Sequence, residues 1–399
     1  MTITSNKSDC TGCGACNSIC PIHCITMKQD AEGFLYPNID DRDCTNCEKC
    51  KEICPSIVQG CVLKPLNVYA AKNSDEEIRY ASSSGGIFSL LAEYVIKEGG
   101  IVFGARFNDD WEVIHDYTET IEGLAAFRGS KYVQSVTGST YRQTKYFLEI
   151  GRKVLYCGTP CQVAGLKAFL QMDYDNLLAI DFVCHGVPSP LVWKKYLDEI
   201  VKTMSIKNIL SINFRNKNYG WRHFNLAITY SDETRKNVLF YQNLNANSFF
   251  RGFLQNLYLR PSCHNCPVKP LKSGSEITIA DYWGIWDVLP DFDDNKGVSL
   301  VMVNTEKGGK VYGLLDKVEH ETKYTDALIV NSAIEKSVLP HKKRVLFFLK
   351  WYNEPLIPLI NKMLAVSFRV RLRKLTGVFL RRFGLLIFVK SYLKKRNHG

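Results

Sequence analysis

The stretch "KVLYCGTPCQVAGLKAFLQMDYDNLLAIDFVC", residues 153–184, decides the fold class. "KVLYCG" is a short apolar run and "LLAIDFVC" is a second, the pattern of strands buried on both faces of a parallel sheet. "QVAGLKAFL" between them reads as a helix. Strand, helix and strand make a βαβ unit whose strands end on one sheet edge. Open α/β sheets place ligands outside that edge, and Cys161 and Cys184 both reach it.

The surrounding sequence extends this body. "VYAAK" (68–72) reads as a strand. Ile87, Leu90, Leu91, Tyr94 and Val95 recur at helical spacing. "GGIVFGARF" (99–107) is a strand after a glycine stop. "NLAITYSDETRKNVLFY" (225–241) predicts a hairpin turning at Ser231–Thr234. "EITIADYWG" (276–284) and "VSLVMVN" (298–304) are later strands.

The chain has 399 residues, 46% hydrophobic and 23% charged, enough for two or three globular domains. Nine of its 15 cysteines fall between Cys10 and Cys54. "MTITSNKSDC" lacks the apolar segment of a secretory signal. A reducing, cytoplasmic setting is therefore expected, where clustered cysteines mean metal or redox chemistry more often than disulfides. No apolar run reaches the roughly 20 residues that span a bilayer.

The cysteine motif occurs twice. Cys10, Cys13, Cys16 and Cys20 precede Pro21; Cys44, Cys47, Cys50 and Cys54 precede Pro55. Three thiolates at this spacing wrap one face of a 4Fe–4S cube, and the fourth reaches the other cluster. The reading is Cys10, Cys13, Cys16 and Cys54 for one cluster, and Cys20, Cys44, Cys47 and Cys50 for the second. Gly12 and Gly14 let the backbone approach the sulfurs. Structural zinc sites, the alternative, prefer two separated pairs of ligands. Cys24, Cys61 and Cys157 fall outside the pattern and read as small residues. The segment resembles bacterial-type ferredoxins, which pass single electrons.

Four cysteines remain: Cys161, Cys184, and the Cys263–Cys266 pair of "RPSCHNCP". Their spacing leaves three readings open. Cys161 is a nucleophile at a helix N-terminus with His185 as base, or the four bind a metal centre, zinc included, or they are buried small residues. No G-x-G-x-x-G follows a strand, so a Rossmann dinucleotide site is not supported. "SSSGGIF" (82–88) precedes a helix whose free N–H groups suit a pyrophosphate; a plain serine cap with glycine flexibility is the alternative.

From about Val68 to Gly284 the chain resembles the family of the coenzyme F420 hydrogenase/dehydrogenase beta subunit. The stretches that carry the resemblance are "SSSGGIFSLLAEY" (82–94), "RGSKYVQS" (128–135), "GTPCQVAGLKAFL" (158–170), "DFVCHGVPSP" (181–190), "FRNKNYGWRHF" (214–224), "RPSCHNCP" (260–267) and "SEITIADYWG" (275–284). The family consists of iron–sulfur flavoproteins carrying FAD. The resemblance implies a third 4Fe–4S cluster on Cys161, Cys184, Cys263 and Cys266. It implies a flavin held by Ser82, Ser83, Ser84, Gly85, Gly86, Ser130, Lys131, Tyr132, Gln134, Thr159 and Trp283. Lys131 and His185 are the candidate catalytic groups. Each has a plain alternative: a solvated lysine, and a histidine bonded to backbone.

The expected architecture is an α+β ferredoxin-like domain (1–63), a larger α/β flavoprotein domain (64–340) and a basic helical tail (341–399). The expected function is an iron–sulfur flavoprotein oxidoreductase acting on an organic substrate; the resemblance adds an association with exopolysaccharide synthesis. A subunit that only transfers electrons to or from a ferredoxin, a deazaflavin or another oxidoreductase is the alternative. The net charge of +11 sits in the tail: residues 342–399 hold 15 lysines and arginines against Glu354 alone, leaving −3 for the rest. Within it, 368–396 reads as an amphipathic helix on an anionic membrane at the inner face, or as a domain-closing helical pair. Nucleic acid is not expected, since no aromatic-bearing binding fold accompanies the charge.

Overall fold

The structure, a computed structural model, describes residues 3–365. The basic stretch 368–396 lies outside them.

The N-terminal unit has a short helix, Ala15–Ile19, then strands β1 (Ile25–Gln29) and β2 (Leu35–Ile39), then helix Lys49–Glu52. The strands pair antiparallel, Ile25 opposite Ile39. Few large apolar residues are available here. Cysteines fill the interior instead: Cys20 and Cys24 pack with Ile3 and Ile25, and Cys16, Cys44, Cys50 and Cys54 lie against them.

The body holds β3 (Asn67–Asn73), β4 (Ile101–Phe107), β5 (Val113–Thr118), β6 (Val154–Gly158) and β7 (Leu177–Phe182). It continues with β8 (Asn208–Asn216), β9 (Asn225–Ser231), β10 (Val238–Asn243), β11 (Ile277–Asp281), β12 (Ser299–Val303) and β13 (Lys317–Thr322). Eight of these strands form one sheet in the order β13-β3-β12-β11-β7-β6-β4-β5. Its middle, β11-β7-β6-β4, is parallel. The flanking pairs are antiparallel. Val154, Leu155 and Tyr156 are all buried, as two-sided coverage requires.

The βαβ unit forms where the sequence places it. Thr159 caps helix Pro160–Leu170, Pro160 opens it, and Gln162 closes the capping box. Gly158 pairs with Asp181 across β6 and β7, so Cys161 and Cys184 follow strands that end level. The hairpin β9–β10 also forms, with Val238 opposite Tyr230. It gains a third strand, β8, which the sequence pattern does not announce.

The second core joins Trp193, Tyr196, Phe214, Phe249 and Phe250 to Phe347, Trp351, Leu359 and Ile360. The last four come from helices Arg344–Lys350 and Leu356–Leu364 and the turn after the first of them, so the first part of the basic segment lies in the body's own interior. Among the described residues no helix is long and apolar enough to cross a membrane.

Candidate functional site

The N-terminal thiols fall into two groups. Burial first, with the neighbouring Cys10 and Cys54, raises Cys13 to about 11. Burial raises Cys16 as well, with Cys13, Cys10 and Cys54 as its charged neighbours. These four form the inner group. Cys50 is raised first by burial and then by Cys47, Cys44 and Cys20, which mark the outer group. Cys24 joins this second group: its Sγ is 3.4 Å from that of Cys20. Motif spacing sets Cys24 apart; the fold returns it to the thiols.

The four body cysteines also converge. Burial raises Cys161 well above its ordinary value, and Cys266, Cys184 and Cys13 add to it. Cys184 is pushed up to about 12 by burial, with Cys263 and Cys266 next to it. The Val187 amide donates to Cys263 Sγ at 3.4 Å. Cys13 thus borders both the inner group and the body group. Cys157 stands apart, beside Asp181 and Lys131, and Cys61 is exposed.

Burial raises Cys13, Cys16 and Cys54 in the inner group, Cys50 in the outer group and all four body cysteines, and a bound iron centre would supply positive charge beside them. The donor sets therefore fit the clusters. Among the described residues no three metal-binding side chains close to the tight spacing of a single-ion site.

The two domains meet over the inner group. Thr137 Oγ1 donates to the Cys13 carbonyl at 3.1 Å, and Gln134 Nε2 to the Thr11 carbonyl at 3.0 Å. Buried Arg260 donates to the Cys10 carbonyl at 2.8 Å. Gly12 and Gly14 have φ of +70° and +82°. A side chain on them would meet the Arg260 guanidinium at 2.7 Å or Thr137 Oγ1 at 2.5 Å. Their smallness is set by this interface as well as by the sulfurs. Gly165, in the helix after Cys161, would place a Cβ 3.0 Å from Cys13 Sγ.

The loop Ser82–Gly86 lies against β3 and β12, where the Asn73 amide donates to the Gly85 carbonyl and the Gly85 amide to Ser299 Oγ. Ser82 Oγ donates to the Ile78 carbonyl and Ser84 Oγ to that of Val298. Gly85 lies too close to the Ala71 carbonyl to carry a side chain. Ser83 Oγ accepts the Ser130 amide at 2.7 Å, which ties the loop to segment 128–135. Helix Ile87–Lys97 has no side-chain cap on its first turn. Beside that turn, Arg128 Nε donates to Ser89 Oγ at 3.0 Å. Free N–H groups next to a guanidinium fit a phosphate. Lys131 turns its ammonium to the carbonyls of Ala126 and Arg128, and burial lowers its pKa to about 7.

Other candidates lie elsewhere. Thr159 caps its helix, with Oγ1 3.2 Å from Cys161 Sγ. Gln134 lies at the domain interface. Trp283 stacks flat on Trp221, centroids 4.7 Å apart. Tyr132 accepts a bond from Arg215 Nη1 at 3.0 Å. His185 Nε2 bonds Asn256 Oδ1 at 2.7 Å, and burial lowers its pKa. Its ring meets Phe253 at 5.2 Å, and Phe253 meets Tyr132 at 5.1 Å. A row of rings thus runs from His185 through Phe253 to Tyr132, the residue after Lys131.

Four positively charged residues join the site that motif reading passes over, although all stand in the stretches quoted for the resemblance. Arg128 stands in "RGSKYVQS", Arg215 and Lys217 in "FRNKNYGWRHF", and Arg260 in "RPSCHNCP". Arg215 forks to Asp281 at 2.6 and 2.9 Å and donates to the Ser83 carbonyl at 3.1 Å. Lys217 props the same loop through the carbonyls of Arg79, Ser84 and Lys296. A cation beside an aromatic or a cysteine was the available signal.

Comparison with known proteins bears on this arrangement. Residues 9–58 match the family model for the 4Fe-4S dicluster domain. Residues 68–140 match the N-terminal model, and 151–326 the C-terminal model, of the coenzyme F420 hydrogenase/dehydrogenase beta subunit. A curated relative, one of the subunits of the F(420)H(2) dehydrogenase of Methanosarcina mazei, is 24% identical over 219 residues. That match covers 51% of this chain and 61% of the relative, so the chain spans under two thirds of that relative's length. A chain from the F420-reducing NiFe hydrogenase complex of Methanosarcina barkeri aligns at 17% identity with a TM-score of 0.44. The alignment covers 75% of this chain and 91% of that one.

Proposed function

Because the chain belongs to the family of the coenzyme F420 hydrogenase/dehydrogenase beta subunit, we propose that it is an electron-transfer subunit. It passes electrons along three iron–sulfur clusters to or from FAD, with a deazaflavin or a partner oxidoreductase beyond. One observation supports this reading: Cys13 neighbours both Cys16 and Cys161, while Cys16 and Cys54 pack with Cys20, Cys44 and Cys50. Bound there, the clusters supply single-electron transfer and the flavin couples it to two-electron chemistry.

The chain's own residues hold and exclude. Cys20, Cys44, Cys47 and Cys50 hold the outer cluster; Cys10, Cys13, Cys16 and Cys54 the inner; Cys161, Cys184, Cys263 and Cys266 the third. The uncapped first turn of helix Ile87–Lys97, with Arg128 and the Ser83–Ser130 pair, receives the flavin phosphates. Lys131 offers a proton-exchanging group near neutral pH. The name of the curated relative, a subunit of a dehydrogenase, favours electron transfer to a partner over chemistry on a separate organic substrate.

Anaerobic quantitation of iron, sulfide and flavin tests the reading. About twelve irons per chain are expected for three cubes, falling to about eight in Cys161→Ser. Twelve irons with no flavin would remove the coupling role. Reoxidation of the reduced protein by a small organic substrate alone, without a redox partner, would overturn the subunit reading.

A further inference from the structure

Arg260 is completely buried, yet every hydrogen-bond acceptor around its guanidinium is neutral in the structure. Its Nε donates to the Cys10 carbonyl at 2.8 Å, one Nη to Gln134 Oε1 at 3.0 Å, and the other to the Leu35 carbonyl at 2.9 Å. That second Nη also faces Cys10 Sγ at 3.6 Å. The ring of Tyr36 lies 4.2 Å from the guanidinium carbon. The nearby carboxylates are engaged by other cations: Glu32 by Arg344 and Asp30 by Lys7. A buried charge without a counter-charge is costly. The groups at hand that can supply negative charge are the thiolates of Cys10 and of Cys263, three residues along the chain.

We propose that Arg260 is the counter-cation and positioning residue of the inner cluster: it fixes Cys10 against the body and raises the inner cluster's reduction potential above the outer cluster's. The inference rests on the reading that Cys10, Cys13, Cys16 and Cys54 hold a cluster. The physical cause is simple. Reduction adds a negative charge, and a fixed positive charge in a water-poor site stabilises the reduced form. The outer group has exposed lysines such as Lys49 instead, whose charge water and salt screen. Electrons arriving at the outer cluster are thereby drawn inward, toward the body.

The test is a potentiometric titration followed by electron paramagnetic resonance on the anaerobic holoprotein. The inner signal is the one that survives both Cys47→Ser and Cys161→Ser. Arg260→Gln is expected to shift its reduction equilibrium at least tenfold toward the oxidised form, about 59 mV for one electron, and to leave the outer signal in place. Arg260→Lys keeps the charge and is expected to stay near wild type, whereas a purely structural role predicts that both variants fall together. Gln134→Glu sets a carboxylate against the guanidinium at unchanged volume, and decides the matter if Arg260→Gln does not assemble: it should shift the inner signal in the same direction. An unmoved inner signal in the folded variants, or equal shifts of both signals, overturns the proposal. Wild-type protein with no inner signal overturns the cluster reading itself, and this inference with it.

Discussion

Replacing Arg215 with methionine is expected to destabilise the body by about 3–5 kcal/mol, the range for breaking a buried ion pair. The side chains of Arg215 and Asp281 are 2% and 15% exposed and meet through two bonds. Without the guanidinium, the Asp281 carboxylate stays buried with the Trp221 indole, at 2.7 Å, as its remaining donor. The Ser83 carbonyl and Tyr132 hydroxyl also lose a donor, each worth roughly 1 kcal/mol, and Phe224 loses a cation 3.8 Å from its ring centre. The terms share one side chain and do not add. With a urea slope on the order of 3 kcal/mol/M, the midpoint should fall by more than about 1 M. Tryptophan fluorescence is the readout, since Trp221 and Trp283 stack at this site. The double variant Arg215→Met with Asp281→Leu removes both partners, so neither is left buried without the other. It should recover part of the loss and retain about 1–3 kcal/mol for the orphaned indole N–H. A loss under about 1 kcal/mol for Arg215→Met, or a double variant no better than the single, refutes the reasoning.

Other consequences can be measured alongside it. Gly165→Ala should give no stabilisation: the roughly 1 kcal/mol of helix propensity gained is offset by about 1–3 kcal/mol of overpacking against Cys13 and Tyr141 at 3.0 Å. A raised thermal midpoint would refute the close approach. Lys131 has its folded-state pKa lowered by burial to about 7. Its contribution to stability is complete above the unfolded value of ~10.4 and is lost as pH falls through about 7. Stability should therefore rise between those limits, and Lys131→Met should flatten the slope; parallel pH profiles would show that the ammonium is solvated. Cys157→Ala should leave the iron content unchanged, because Cys157 faces Asp181 and Lys131 rather than the other body thiols; loss of iron would return it to the ligand set.

The sequence alone determined the local pieces of this protein. Cysteine spacing made the two N-terminal motifs legible, because three thiols two residues apart belong to one tight loop. Apolar runs marked β6, the helix after Cys161, and β7, because strand and helix periods differ. The stretch 153–184 therefore specifies the parallel unit by itself, and the edge its strands share is enough to put Cys161 near Cys184. Long-range closure was a different matter. Cys263 and Cys266 reach that edge through the Pro188–Leu259 bridge, the Val187 amide bonded to Cys263 Sγ and Lys269 bonded to the Cys184 carbonyl, none of which periodicity announces. Gln134 and Gly12 took their roles from the interface between domains, and Arg260 was visible only as one letter before a cysteine pair. Strand and helix follow from contacts a few residues apart. Which buried cation faces which thiol is decided by packing between segments more than two hundred residues apart.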